Sequence, residues 1–150
     1  AGGTGMSGSE QQAGYAGDVS VADAYAALRD DPRAVLVDVR SEAEWSFVGL
    51  PDLSALAKQP ARIAWQTFPG MKPNPDFVAQ VLAQAPARDA PVYFLCRSGA
   101  RSRNAAIAMT KEGYAKAFNI AGGFEGDLDT AKKRGAVNGW KAAGLPWSQT

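Results

Sequence analysis

The sequence predicts an α/β domain with a central, mostly parallel sheet flanked by helices on both faces. Three observations lead there. Val35-Leu-Val-Asp-Val39 and Pro91-Val-Tyr-Phe-Leu95 are short apolar runs with no polar–apolar alternation. Such runs fit strands buried on both sides, the situation of a parallel sheet. Segments with apolar residues at helical spacing lie between the runs, and parallel strands need crossovers of that kind.

In chain order, residues 1–17 carry six glycines among Ser, Thr and Gln. They have too little apolar surface to order themselves and are expected to form a disordered tail ahead of one domain over 18–150. Ser20-Val-Ala-Asp23 opens a helix with a serine cap and an acidic residue three positions on. Val21, Ala24, Tyr25 and Leu28 share a face, and Asp30-Asp31-Pro32 ends it. The first buried strand follows, with Asp38 and Arg40 at its end. Glu42, Glu44, Trp45 and Phe47 suggest a short helix. Gly49-Leu-Pro51-Asp is a turn signal, and Arg62-Ile-Ala-Trp-Gln66 reads as a short strand. Asn74-Pro75 predicts a helix start, continued by Phe77, Val78, Val81 and Leu82 and stopped by Pro86. After the second buried strand, residues 101–112 read as a helix with Ala105, Ile107, Ala108 and Met109 on its apolar side and Gly113 as cap. Ala117-Phe-Asn-Ile120 is a final strand, Gly122-Gly123 a turn into a short helix, and Gly139-Trp140 through Gly144 a last helix.

The chain has 150 residues, 46% hydrophobic and 21% charged, enough for one cored domain. A net charge of +1 and the absence of long basic or apolar runs argue against nucleic acid and membrane partners. The opening residues show no signal-peptide pattern, so a cytoplasmic protein is expected, with the periplasm left open if further residues precede them. One cysteine permits no internal disulfide. The absence of histidine removes Cys/His and Ser/His catalytic pairs and most zinc sites.

Chemistry therefore concentrates at Cys96-Arg-Ser-Gly-Ala-Arg101-Ser102. A thiol ends a buried strand, and a tight loop with one glycine leads into a helix. Main-chain N–H groups and the helix N-terminus converge there and favour an anion, so an exposed, nucleophilic thiolate is expected. In α/β sheets ligands bind beyond the carboxyl ends of strands, where both Cys96 and Asp38-Val-Arg40 fall. Asp38, Arg40 and Glu44 are expected to be supporting residues, with Arg40 paired to Asp38 or Glu44 beneath the loop. Trp45, Trp140 and Trp147 read as packing aromatics, and Arg103 as a surface or ion-pair residue. Trp65 reads as core, with a pocket wall as its other reading. Glu125, Asp127 and Asp129 read as a solvated face rather than an ion site.

Four segments resemble the rhodanese-like sulfurtransferase family. They are Val37-Asp-Val-Arg40 with Glu44-Trp45, the loop Cys96–Ser102, Asn119-Ile-Ala-Gly-Gly-Phe124, and Gly139-Trp-Lys-Ala-Ala-Gly-Leu-Pro-Trp147. The resemblance implies a single rhodanese-like domain and a thiosulfate sulfurtransferase-like enzyme. Cys96 would take sulfane sulfur from a small anionic donor and pass it, as a persulfide, to cyanide or a thiol. A protein sulfur acceptor stays open. It also implies no metal and no organic cofactor. The amides of Arg97, Ser98, Gly99, Ala100, Arg101 and Ser102 would cradle the sulfur, with Arg97 and Arg101 orienting the donor. The histidine that often follows the first signature is missing around Gly49-Leu-Pro51, and Trp65, Phe68 and Met71 become candidates for the pocket rim.

Two other functions compete. Cysteine phosphatases and arsenate reductases also place a thiolate ahead of a helix. Tyrosine-phosphatase loops, however, carry their arginine one residue later than Arg101, and no Asp or His is evident as general acid. A docking or sulfur-relay module acting on a protein partner is the other. The loop also differs from the Cys-Gly-Ser-Gly-Val-Thr type of mercaptopyruvate enzymes, so a thiosulfate-type donor is expected.

Overall fold

The computed structural model describes residues 15–40, 45, 50–56, 58–67, 72–96, 100–121, 123–124, 140 and 145–148. In order these form β1 (Gly17–Val19), α1 (Val21–Asp30), β2 (Val35–Asp38), β3 (Leu50–Pro51), a 3-10 turn (Ser54–Leu56) and β4 (Ala61–Arg62). Then come β5 (Gln66–Thr67), β6 (Lys72–Pro73), α2 (Phe77–Gln84), β7 (Val92–Leu95), α3 (Ala100–Lys111), β8 (Ala117–Ile120) and β9 (Trp147–Ser148). The main sheet has five strands in the order β1-β8-β7-β2-β4. Every pairing within it is parallel, as the unbroken apolar runs predict.

The two faces of this sheet carry separate cores. Side chains alternate across a strand, so Val37, Phe94 and Cys96 point to one cluster with Phe77 and Val81 of α2 and Ala105, Ala106 and Met109 of α3. Leu36, Tyr93 and Leu95 point to the other, with Ala24 and Leu28 of α1, Phe124 and Trp140. Ser20 caps α1 as expected, its hydroxyl accepting from the Asp23 N–H at 3.0 Å. Gly113 ends α3 at φ +103, and a Cβ there would lie 3.0 Å from Arg88 Cδ. Trp65 is half-buried and packs against the first core, edge-on to Phe77 at 4.9 Å.

Several expectations are corrected. Residues 15–17 do not belong to the expected tail. Tyr15 is buried, Ala16 donates to the Ala117 carbonyl, and Gly17–Val19 adds an edge strand to β8. A three-residue strand carries too little pattern to stand out from a glycine-rich stretch. Residues 1–14 lie outside the described residues. α2 begins at Phe77 rather than at Asn74-Pro75. The Asn74 side chain accepts from the Asp76 N–H in a turn and donates to the Ala64 carbonyl, tying the approach segment to the β4–β5 connection. Leu50–Pro51 is not simply a turn. It pairs antiparallel with Trp147–Ser148, a partner too distant in sequence to be read from local pattern. The single strand expected at Arg62–Gln66 divides into β4 and β5. Trp147 packs edge-on against Phe124 at 6.0 Å yet stays 40% exposed. Trp140 and Trp45 are buried as expected. Phe68, Met71, Glu125, Asp127, Asp129 and the expected final helix apart from Trp140 lie outside the described residues.

Candidate active site

The site lies where β2 and β7 leave the sheet side by side. Their register pairs Asp38 with Leu95, and the Val39 N–H donates to the Leu95 carbonyl at 2.8 Å. Cys96 is the next residue after β7 and keeps the side-chain direction of Val92 and Phe94, toward α2 and α3. Its carbonyl accepts from the Phe124 N–H at 2.8 Å. Gly123, at φ +64, makes the turn that brings Phe124 back to this point.

The loop predicts an exposed thiolate, but Cys96 is buried, with only 1% of its surface exposed. The cause is the strand's alternation: a residue in phase with Val92 and Phe94 faces the core that those residues face. Its surroundings are nonetheless polar on one side. Ser102 Oγ lies 3.2 Å from Sγ and is itself fully buried. Ser102 is the third residue of α3 and shares the buried stripe of Ala105, Ala106 and Met109, at spacings of one and two turns. The helix that packs on the sheet thus carries a hydroxyl directly to the thiol.

The polar contacts continue away from the sulfur. Ser102 Oγ lies 2.5 Å from Asn119 Oδ1 on β8. Asn119 Nδ2 donates to Asp18 Oδ1 on β1 at 2.9 Å, and the Tyr15 hydroxyl donates to the same oxygen at 2.7 Å. Burial first, then the Asp18 hydrogen bond, pushes Tyr15 up to about 12. Asn119, Asp18 and Tyr15 were not among the expected site residues. One signal for Asn119 exists in the sequence: an amide between Phe118 and Ile120 in a buried strand needs partners.

Asp38 and Arg40 form a fully buried ion pair, as one of the two expected pairings had it. Arg40 donates to Asp38 through its N–H at 3.1 Å, Nε at 2.9 Å and Nη2 at 2.6 Å. Its guanidinium sits 4.3 Å from the centre of the Phe124 ring. Ala100 and Arg101 open α3, and Arg101 is partly buried. Arg97, Ser98, Gly99 and Glu44 lie outside the described residues. The described part of the site therefore joins a buried nucleophilic atom, a hydroxyl beside it, an arginine in the first turn of a helix and a neighbouring ion pair. Thiolate formation and transfer of a small group at sulfur are chemistry that such a set can support.

The family model of the STR4 middle domain matches residues 16–150. An uncharacterized protein of Rickettsia rickettsii is 38% identical over 125 residues, which is 83% of this chain and 90% of that protein. A thylakoid rhodanese-like protein of rice (Oryza sativa subsp. indica) is 30% identical over 132 residues, 88% of this chain but 25% of that protein. The crystal structure of Rv0390 from M. tuberculosis superposes with a TM-score of 0.82 at 50% identity, over 91% of this chain and 99% of that one. The solution structure of a polysulfide-sulfur transferase homodimer from Wolinella succinogenes has a TM-score of 0.60 at 22% identity, over 95% of this chain and 85% of that one, a likeness of fold. Fold and family thus agree with the four sequence segments, and the chain belongs to the STR4 middle domain family, on a rhodanese-like α/β fold.

Proposed function

We propose that the protein is a sulfurtransferase that carries sulfane sulfur as a persulfide on Cys96. The observation that carries this reading is the placement of the one sulfur nucleophile at the end of the central strand β7, with the Ser102 hydroxyl 3.2 Å away. The thiolate attacks the outer sulfur of thiosulfate or of a polysulfide. The new S–S bond is the persulfide, and sulfite or the shortened polysulfide leaves with the electron pair of the broken bond. A nucleophilic acceptor, cyanide or a thiol, then takes the outer sulfur and returns the thiolate. Arg97 and Arg101 supply positive charge for an anionic donor. The amides of residues 97–102 hold the outer sulfur. Burial of Sγ keeps water from the persulfide and strengthens each hydrogen bond made to it. No step calls for a metal or an organic cofactor.

The exposed Trp147 favours a second acceptor class. It stands against Phe124, whose N–H binds the Cys96 carbonyl, so an open aromatic surface borders the site. Aromatic side chains of this kind anchor protein partners. A protein sulfur acceptor docking there would make the chain a relay.

Intact-mass measurement after treatment with thiosulfate or polysulfide tests the first reading. One added sulfur atom is expected on the wild type and none on Cys96→Ser. Turnover with thiosulfate should exceed turnover with mercaptopyruvate, and the reverse preference rejects the donor assignment. Hydrolysis of p-nitrophenyl phosphate that disappears in Cys96→Ser would instead support a phosphatase.

A further inference from the structure

We propose that Asn119, oriented by Asp18, is a positioning residue that sets where the Ser102 hydroxyl proton points and thereby tunes the reactivity of the Cys96 sulfur. This deepens the reading of Cys96 as nucleophile and rests on it. The argument is one of donors and acceptors. A carboxylate only accepts, so Asp18 Oδ1, with Asn119 Nδ2 at 2.9 Å, fixes which end of the amide faces it. The carbonyl end, Oδ1, is then the atom 2.5 Å from Ser102 Oγ. The Ser102 hydroxyl has one proton, and among the described residues Asn119 Oδ1 and Cys96 Sγ, at 3.2 Å, compete for it. The closer contact takes the proton. The lone pairs of Ser102 Oγ then face the sulfur and accept from an S–H. In that state the relay matches the neutral thiol.

Ionisation reverses the last link. The thiol proton leaves to water or buffer, and the hydroxyl turns its proton to the sulfur anion, at the expense of the bond to Asn119. Hydrogen bonds to the charged form favour that form. The strength of the Asn119–Ser102 bond therefore sets how readily the thiolate gains the Ser102 donor. Tyr15 holds the far end: its hydroxyl also donates to Asp18 Oδ1, and with a value of about 12 it remains a donor throughout the range in which thiols titrate. Among the described residues, the charged side chains on the elements packed around the sulfur are the Asp38–Arg40 pair at the end of β2, Arg101, Arg103 and Lys111 on α3, and Asp18 on β1; α2 and β8 carry none.

Cys96 is the only cysteine, so alkylation by iodoacetamide read by intact mass reports a single site. The rate is measured from pH 5 to 10 on folded protein. Asn119→Leu removes the competing acceptor, and the midpoint of the profile should fall by roughly half to one pH unit. Ser102→Ala removes this hydroxyl donor to the thiolate, and the midpoint should rise by a similar amount. Asp18→Ala frees the amide and should shift the midpoint downward by less. Asp18→Asn removes the same charge but retains the accepting oxygen, and its profile should match the wild type. Asp18 is exposed, so these two variants are expected to fold even if Asn119→Leu does not. Equal shifts in Asp18→Ala and Asp18→Asn would show a simple field effect and overturn the orienting role. So would shifts of the same sign in Asn119→Leu and Ser102→Ala, which a merely structural role produces. A wild-type sulfur inert to both iodoacetamide and sulfur donors overturns the nucleophile and the relay together. A sulfur that loads while no variant moves the profile overturns the relay alone.

Discussion

Two neighbouring strands, β2 and β7, reach the same end of the sheet in register and finish in opposite ways. At the end of β2 the polar groups are charged: Asp38 and Arg40, both side chains fully buried, joined through three donors on one residue and two oxygens on the other. Beyond β7 they are a thiol, a hydroxyl and an amide, Cys96, Ser102 and Asn119. A bidentate ion pair has essentially one satisfactory arrangement, and its partners cannot separate without leaving a charge in the core. A hydroxyl between two acceptors has two. The first end is built to hold a shape, and the second to answer a change of charge on its neighbour. Phe124 ties them together, with its ring under the Arg40 guanidinium and its N–H on the Cys96 carbonyl.

Breaking the charged end should have the largest effect. Arg40→Ala or Asp38→Ala breaks a buried, bidentate ion pair, a loss of about 3–5 kcal/mol. For a chain of this size that corresponds to a fall in Tm of roughly 10 °C or more, measured by calorimetry or circular dichroism. The double variant Asp38→Leu/Arg40→Met should recover much of the loss, because two apolar side chains leave no orphan charge. If either single variant melts within a degree or two of the wild type, the pair is not the lock described here.

The neutral end should separate stability from chemistry. Ser102→Ala leaves Asn119 Oδ1 without that donor, a loss of about 1–2 kcal/mol in urea unfolding. Cys96→Ser exchanges one small buried side chain for a more polar one and should cost about 1 kcal/mol, while sulfur loading disappears completely. An activity loss in Cys96→Ser that merely tracks a collapse in Tm would erase the contrast between the two ends.

The sequence made the charged end and the central strands easy to see and the relay hard to see, for physical reasons. Val35–Val39 and Pro91–Leu95 announce themselves because strands buried on both faces must be apolar throughout. A charged pair at the end of such a run has to find a partner, and Arg40 finds the nearest carboxylate two residues away. Cys96 was legible as a special residue through the loop that follows it, but its burial was not, since that depends on the phase of β7. Ser102 falls both in the loop motif and in the helix expected over 101–112, and neither placement reveals its burial. Its place in the stripe with Ala105 and Met109 makes it an interior residue of α3. Asp18 and Tyr15 were invisible because β1 exists only by pairing with β8, a hundred residues later in the chain. Antiparallel β3–β9 escaped for the same reason.

The smallest expected effect sharpens the comparison from the outer end of the relay. Tyr15 is raised to about 12 from the usual 10, chiefly by burial and then by its bond to Asp18. The unfolded chain releases this proton near pH 10, and the folded chain holds it longer. The stabilisation is thus fully present below pH 10 and is lost as pH climbs from 10 to 12. Tyr93 and Tyr114 shift in the same direction, again through burial, and add to the slope. Tyr15→Phe should lower stability at pH 7 by about 0.5–1 kcal/mol and flatten, without abolishing, the decline in Tm between pH 10 and 12. Its alkylation profile should stay near that of the wild type, since Asp18 Oδ1 still receives Asn119 Nδ2. An unchanged alkaline slope would mean that Tyr15 is not held by Asp18 in the way its 2.7 Å contact implies. A large shift in alkylation would mean that orientation reaches the sulfur from the tyrosine itself, making the adjustable end of the sheet one residue longer than Asp18.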